Sequence, residues 1–293
     1  MREAVDLASR RLERAGVDHA RREAMLLLAR LLGTDRGGIV ARASQILPAG
    51  VARDFGAFVA RREGREPSQY LFGEEEFFGR VFAVDRRVLI PRPETEILIE
   101  AVLSLPVDGA ARVLDLGTGS GCIAVTLAIE RPRWSIVALD RSADALAVAR
   151  ANVERHEVRG RIDLVEGDLG DPARFGASFD VVVSNPPYVS EEEWRGLAPE
   201  VQDHEPKEAL VPGPSGLEAY RALAPAALEV LRSGGWIALE LGYRSAAGAR
   251  AAVEAAGFHA VEVRPDLRGI PRVLVARKPE RGSDPFSDKL ALR

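Results

Sequence analysis

Cysteine occurs once, at Cys122, which excludes an internal disulfide and a cysteine zinc site. Histidine occurs four times, at His19, His156, His204 and His259, without ligand spacing, so no resident metal is expected. Lysine is confined to Lys207, Lys278 and Lys289; the other basic residues are arginine, a composition bias with no functional content. Asparagine occurs only at Asn152 and Asn185. No apolar run approaches the ~20 residues that span a bilayer, and the N-terminus carries no apolar leader. A soluble, cytoplasmic protein with no membrane partner is expected. The net charge of -4 lacks the positive surplus of a protein that works on a phosphate backbone. There is no internal repeat.

What remains is a chain of 293 residues, 46% of them hydrophobic, enough for two modest domains with real cores. Residues 1–70 read as a small helical bundle that serves stability or binds a partner. In "DHARREAMLLLARLLG" Asp18 can cap and Gly33 can stop a helix with Met25, Leu28, Leu31 and Leu32 on one face. In "LPAGVARDFGAFVARREG" Pro48 opens and Gly64 closes a second helix with Val51, Phe55 and Phe58 or Val59 along it. Residues 71–92 hold short β-like runs at Phe77-Phe78, Val81–Val84 and Val88–Ile90, read as a β-hairpin linker. Glu94–Leu103 looks helical. Residues 93–280 form the main domain, and 281–293 are a polar tail expected to fray.

From Arg112 the pattern is strand, glycine turn, helix, repeated. Seven strands are expected: Arg112–Leu116, Trp134–Asp140, Arg161–Glu166, Phe179–Ser184, Trp236–Leu241, His259–Arg264 and Arg272–Arg277. Alternation with alanine-rich helices predicts an α/β fold, a mostly parallel sheet covered on both faces. Ligands of such sheets bind beyond the carboxyl ends of the strands.

Three polar signals fall at those ends. In "VLDLGTGSGCIA" Gly117, Gly119 and Gly121 let the backbone turn tightly against a ligand. The dinucleotide fingerprint is absent, because its third glycine would fall at Cys122. Asp140, closing the second strand, can accept hydrogen bonds from both ribose hydroxyls, or can cap the next helix, a task Ser142 can also perform. Asp168, after the third strand, can meet an adenine amino group with Leu169 against the ring. Together they describe a site for an adenosine-bearing ligand.

The stretch "SNPPYV" ends the fourth strand with Asn185, Pro186, Pro187 and Tyr188. A turn explains the prolines but not the amide. The lone pair of a planar amide or arylamine nitrogen is delocalised, so the nitrogen is a weak nucleophile. Two acceptors, the Asn185 carboxamide oxygen and the Pro186 carbonyl, can receive the two N–H bonds of an –NH2 group and aim it. Proline rings fix the loop, and Tyr188 offers a flat wall.

Glycine turn, Asp140 and Asp168 resemble the class I S-adenosylmethionine-dependent methyltransferases. That resemblance implies a Rossmann-like, seven-stranded sheet whose last strand runs antiparallel. It places the cofactor's amino-acid moiety over Gly117-Thr118-Gly119-Ser120-Gly121. Asn-Pro-Pro-Tyr resembles the signature of amino-group N-methyltransferases acting on adenine, cytosine or glutamine. The loop after Tyr188 is rich in glutamate, which disfavours nucleic acid. "PSQYLFGEEEFFG", "VLIPRPETE", "PEVQDHEP", "GLEAYR" and "DLRGIPRV" extend the likeness to the HemK/PrmC family. This implies a monomeric enzyme of translation termination that methylates, with S-adenosyl-L-methionine, the glutamine N5 of the Gly-Gly-Gln loop in class I release factors and leaves S-adenosyl-L-homocysteine. Where the family often has an aromatic residue after Asp168, this chain has Leu169, so apolar contact with adenine is expected. A DNA or RNA amino-methyltransferase and a non-catalytic binding module are the alternatives.

Overall fold

Every third or fourth residue of the first helix is apolar and points inward. In the computed structural model, which describes residues 1–171, 175–176 and 178–280, this helix α1 (Arg2–Arg14) buries Val5, Ala8 and Leu12. Four more follow: α2 (Ala20–Leu31), α3 (Arg36–Ala41), α4 (Ala49–Glu63) and α5 (Ser68–Phe72). The buried stripe of α2 is Ala20, Ala24, Leu27 and Leu28; Met25, Leu31 and Leu32 flank it. Leu27, Leu28 and Ala24 are completely buried. Asp18 does not cap α2: His19 occupies the cap position in left-handed geometry, with no side-chain bond. Pro48 and Gly64 bound α4 as expected.

Chain contacts divide the molecule into two units, Met1–Glu74 with Leu197–Glu205, and Glu75–Gly196 with Pro206–Arg293. In the first unit the buried Arg62 guanidinium meets Glu23 at 3.2 Å and Glu200 at 2.8 Å, and Arg65 meets Glu200 at 2.6 Å.

The second unit opens with a hairpin. β1 (Glu74–Phe77) and β2 (Arg80–Ala83) bury Phe77 and Phe82. Val88–Ile90 is not a strand, although Val88 and Ile90 are buried; the Asp85–Arg87 turn takes the chain off the hairpin first. Next come α6 (Thr95–Leu103), β3 (Arg112–Leu116), α7 (Cys122–Glu130), β4 (Ser135–Asp140), α8 (Ala143–Arg155), β5 (Ile162–Glu166) and β6 (Phe179–Ser184). The short α9 (Glu191–Trp194) precedes α10 (Pro199–His204), which belongs to the first unit. The chain ends in α11 (Glu218–Val230), β7 (Leu231–Glu240), α12 (Ala246–Ala256), β8 (His259–Pro265) and β9 (Pro271–Arg277).

These seven strands, β3 to β9, form one sheet in the order β5-β4-β3-β6-β7-β9-β8. Pairing is parallel from β5 to β7, and β9 runs antiparallel to both neighbours. β7 begins at Leu231 rather than Trp236, because Leu231 already pairs with Phe179 across a bulge. Side chains alternate across the sheet. Val113, Ile136, Val181 and Ala238 pack under α6, α7 and α8 in one core; Leu114, Val137, Val182 and Ile237 pack under α11 and α12 in another. After β3 the chain winds outward to β5, then returns to β6 on the other side. The carboxyl ends of β3 and β6 therefore flank the crevice where open α/β sheets take ligands. Among the described residues no helix is long and apolar enough to cross a membrane. The expected frayed tail, 281–293, lies outside the described residues.

Candidate active site

β3 ends at Leu116, and the next turn is built from three left-handed glycines, Gly117, Gly119 and Gly121, with φ of 75°, 54° and 80°. The turn is tied to the neighbouring strand, with the N–H groups of Gly117 and Thr118 both donating to the Leu139 carbonyl at 2.8 and 3.0 Å. At the end of β4, Asp140 accepts the Gly119 N–H on Oδ2 and the Ser142 N–H on Oδ1, each at 2.9 Å. The Ser142 hydroxyl oxygen accepts the Ala145 N–H at 3.1 Å and caps α8. Asp140 is thereby left at the strand end with unused lone pairs.

A cavity of about 430 Å³ opens here. Gly117, Gly119, Leu139, Asp140 and Leu169 line one part, and Asn185 and Pro187 another. Val88, Leu89 and Glu208 are among the other residues that line it. A larger, open groove of about 850 Å³ on the helical unit contains none of these groups.

Several expected residues lie outside that lining. Thr118 and Ser120 are buried: the Thr118 hydroxyl donates to Asp115 Oδ2 at 2.6 Å, and the Ser120 carbonyl accepts from Asn152 at 2.8 Å. Gly121 packs against Ala149. Asp168 is exposed and uses Oδ1 to accept the Gly170 N–H at 2.8 Å. Pro186 is buried.

The clamp residues follow β6. The Ser184 hydroxyl donates to the Leu116 carbonyl at 2.6 Å and pins the ends of β6 and β3 together. Asn185 Nδ2 donates to Thr95 Oγ1 at 3.2 Å, which turns Oδ1 the other way. The Tyr188 hydroxyl donates to Glu240 Oε1 at 3.0 Å. Burial and the Glu240 charge push the Tyr188 phenol well above its usual range, so it stays protonated. Beyond it, Ser190 and Glu193 form a reciprocal capping box that opens α9.

Three acidic or polar groups escaped sequence reasoning. Asp115 is fully buried, Oδ1 has no partner, and burial, opposed by the Thr118 bond and reinforced by Asp140, pushes its carboxyl up to about 7. Glu240 is 1% exposed and is likewise pushed by burial up to about 7. Thr95 hydrogen-bonds that carboxyl. The available signal was an acid inside a buried strand, in "VLDL" and "WIALEL". Cys122 is no nucleophile, since burial pushes its thiol up to about 12.

The geometry fits an adenosylated cofactor. Glycines keep side chains off the cavity, a carboxylate stands at the second strand end, and Leu169 offers an apolar surface.

Comparison with known proteins agrees. Residues 3–73 match the PrmC N-terminal domain, and residues 93–210 match the Methyltransferase small domain. A release factor glutamine methyltransferase of Nitratidesulfovibrio vulgaris is 45% identical over 273 residues, 92% of either chain. One from Koribacter versatilis is 43% identical over 280 residues, 95% of this chain and 99% of that one. Among solved structures, the hMettl16 catalytic domain, in complex with MAT2A 3'UTR hairpin 6, superposes with a TM-score of 0.55. It is 19% identical over 75% of this chain and 91% of that one, a likeness of fold.

Proposed function

The chain belongs to the release factor glutamine methyltransferases, and from that premise we propose how its site performs the reaction. It transfers a methyl group from S-adenosyl-L-methionine to the N5 amide nitrogen of the glutamine in the Gly-Gly-Gln loop of a class I release factor. One observation carries this reading: the glycine turn with Asp140 and the Asn185-Pro187 loop border the same cavity.

The cofactor, when bound, supplies an electrophilic methyl group on a sulfonium. Gly117 and Gly119 would bring backbone close to its amino-acid part, Asp140 would accept from its ribose hydroxyls, and Leu169 would offer the adenine an apolar surface. The substrate carboxamide enters from the Asn185 side. Asn185 Oδ1 and the Pro186 carbonyl each accept one N–H, which orients the nitrogen and stabilises positive charge as its bond to carbon forms. One of the two N–H protons then leaves to water, because an N-alkylated amide cation is strongly acidic. No general base is required. Tyr188, protonated and fixed, serves as a wall rather than as a base.

The glutamates of α9 and its flanks favour a protein loop over a polyphosphate chain. The test offers labelled cofactor to a purified release factor, to its loop mutant with glutamate for glutamine, to DNA and to RNA. Label on the glutamine alone, located by mass spectrometry, is the expected result. Efficient labelling of an oligonucleotide with none on the factor overturns it.

A further inference from the structure

The stretch Ile90-Pro91-Arg92-Pro93-Glu94-Thr95-Glu96 leads into α6, and its last three residues reach three different places. Glu94 lies 4.0 Å from Arg272 on β9. Glu96 Oε1 accepts the Phe78 N–H at the hairpin tip, at 2.7 Å. Thr95, only 2% exposed, accepts from the Asn185 side-chain amide and bonds the carboxyl of Glu240. Glu240 in turn receives the Tyr188 hydroxyl. One buried carboxyl thus stands behind both the first and the last residue of Asn-Pro-Pro-Tyr.

Hydrogen-bond direction makes this arrangement informative. Asn185 Nδ2 donates to Thr95 Oγ1, and Nδ2 is the only asparagine side-chain atom that can donate. An amide held this way turns Oδ1 outward. Packing restricts Tyr188 as well. A Cβ on Gly242 would come within 2.7 Å of the Tyr188 ring, and one on Gly216 within 2.6 Å of the Tyr188 carbonyl oxygen.

We propose that Thr95 and Glu240 are positioning residues, which fix the direction of the Asn185 carboxamide and the seat of Tyr188 and so give the substrate-amide clamp a single geometry. The inference rests on the reading that Asn185 Oδ1 receives the substrate –NH2. Neither residue touches the substrate; both act through the clamp.

The experiment compares Thr95→Val, which keeps the shape and removes the hydroxyl, with Thr95→Ser, which keeps the hydroxyl. Both are made in the full chain. Measured are kcat and KM for the release factor, cofactor affinity by calorimetry, and the side-chain –NH2 resonances of Asn185. With two asparagines and three glutamines in the chain, those resonances are readily assigned. Thr95→Val is expected to lose at least about tenfold in kcat, while cofactor affinity and KM stay within about twofold. Its Asn185 resonances should shift. Thr95→Ser should retain kcat within about threefold and the native resonances. Native kcat and unshifted resonances in Thr95→Val overturn the proposal. So does loss of cofactor affinity together with melting temperature, which marks a merely structural threonine. Asn185→Ala is run alongside. Normal turnover there defeats the clamp reading itself, whereas loss there with an unaffected Thr95→Val defeats only the positioning role.

Discussion

The two halves of the cavity are made differently. The half at β3 and β4 consists of glycine backbone and one carboxylate between Gly117 and Asp140, with Leu139 and Leu169 as its apolar part. The half at β6 presents Asn185 and Pro187, and behind it stands a side-chain relay in which Thr95 holds Asn185 and Glu240 holds Tyr188. The first needs only a turn of the right shape. The second needs four side chains brought together by the whole sheet. A ligand that every member of a fold class binds can rest on backbone, whereas aiming one particular nitrogen requires side chains locked from behind.

This contrast can be broken experimentally, since each half should fail in its own kinetic parameter. The largest effect is expected for Asn185→Ala, a fall in kcat on the order of 10²–10³-fold with calorimetric cofactor affinity unchanged. Gly242→Ala comes next. Its Cβ would enter the space of the Tyr188 ring, so kcat should fall about 10- to 10²-fold and melting should report a loss of about 1–3 kcal/mol. If Gly242→Ala instead weakens cofactor binding and spares kcat, the two halves are not separate. Asp140→Ala should do the reverse of Asn185→Ala. Cofactor binding should weaken by roughly 1–3 kcal/mol by calorimetry, with turnover at saturating cofactor within a few-fold of normal.

The smallest effect concerns the buried acid under the glycine turn. The folded-state Asp115 carboxyl is raised from 3.8 to about 7, so the folded chain keeps a proton that the unfolded chain has released. Stability therefore falls as pH rises from about 4 to about 7 and levels above that. Asp115→Asn does not titrate there. Between pH 5 and pH 8 the difference should move in the variant's favour by on the order of 1–3 kcal/mol, and the altered Thr118 bond adds only a constant offset at every pH. Urea melts at pH 5, 6.5 and 8 measure it, and a constant difference across that range would refute the assignment.

The same contrast explains what was legible in the sequence. Strand alternation, the seven-stranded sheet and the glycine turn are short-range signals, and they placed Gly117, Gly119, Asp140 and Leu169 at the cavity. Thr118 and Ser120 sat in the same motif but turn inward, because a left-handed turn presents backbone and folds the intervening side chains into the core. Asp168 follows a strand end as expected, yet its carboxylate closes its own turn. Asn185 and Pro187 could be read from one tetrapeptide. Their supports could not, since Thr95 and Glu240 meet that loop only across the folded sheet. The early start of β7 was hidden for a similar reason: α11 runs straight into it, and only pairing with Phe179 makes Leu231 extended.

The tie between Glu200 and the two arginines of the helical unit bears on how such a protein can be cut or recombined. Glu200 arrives with Leu197–Glu205, a short excursion of the chain flanked on both sides by methyltransferase sequence. A fragment ending at Glu74 would therefore keep Arg62 and Arg65 but lose the carboxylate that both guanidiniums grip, leaving Glu23 to serve the buried Arg62. A chimera that exchanges the first 74 residues between relatives would inherit arginines from one parent and their counter-charge from the other. The unit of inheritance is discontinuous, and helical unit and excursion have to travel together.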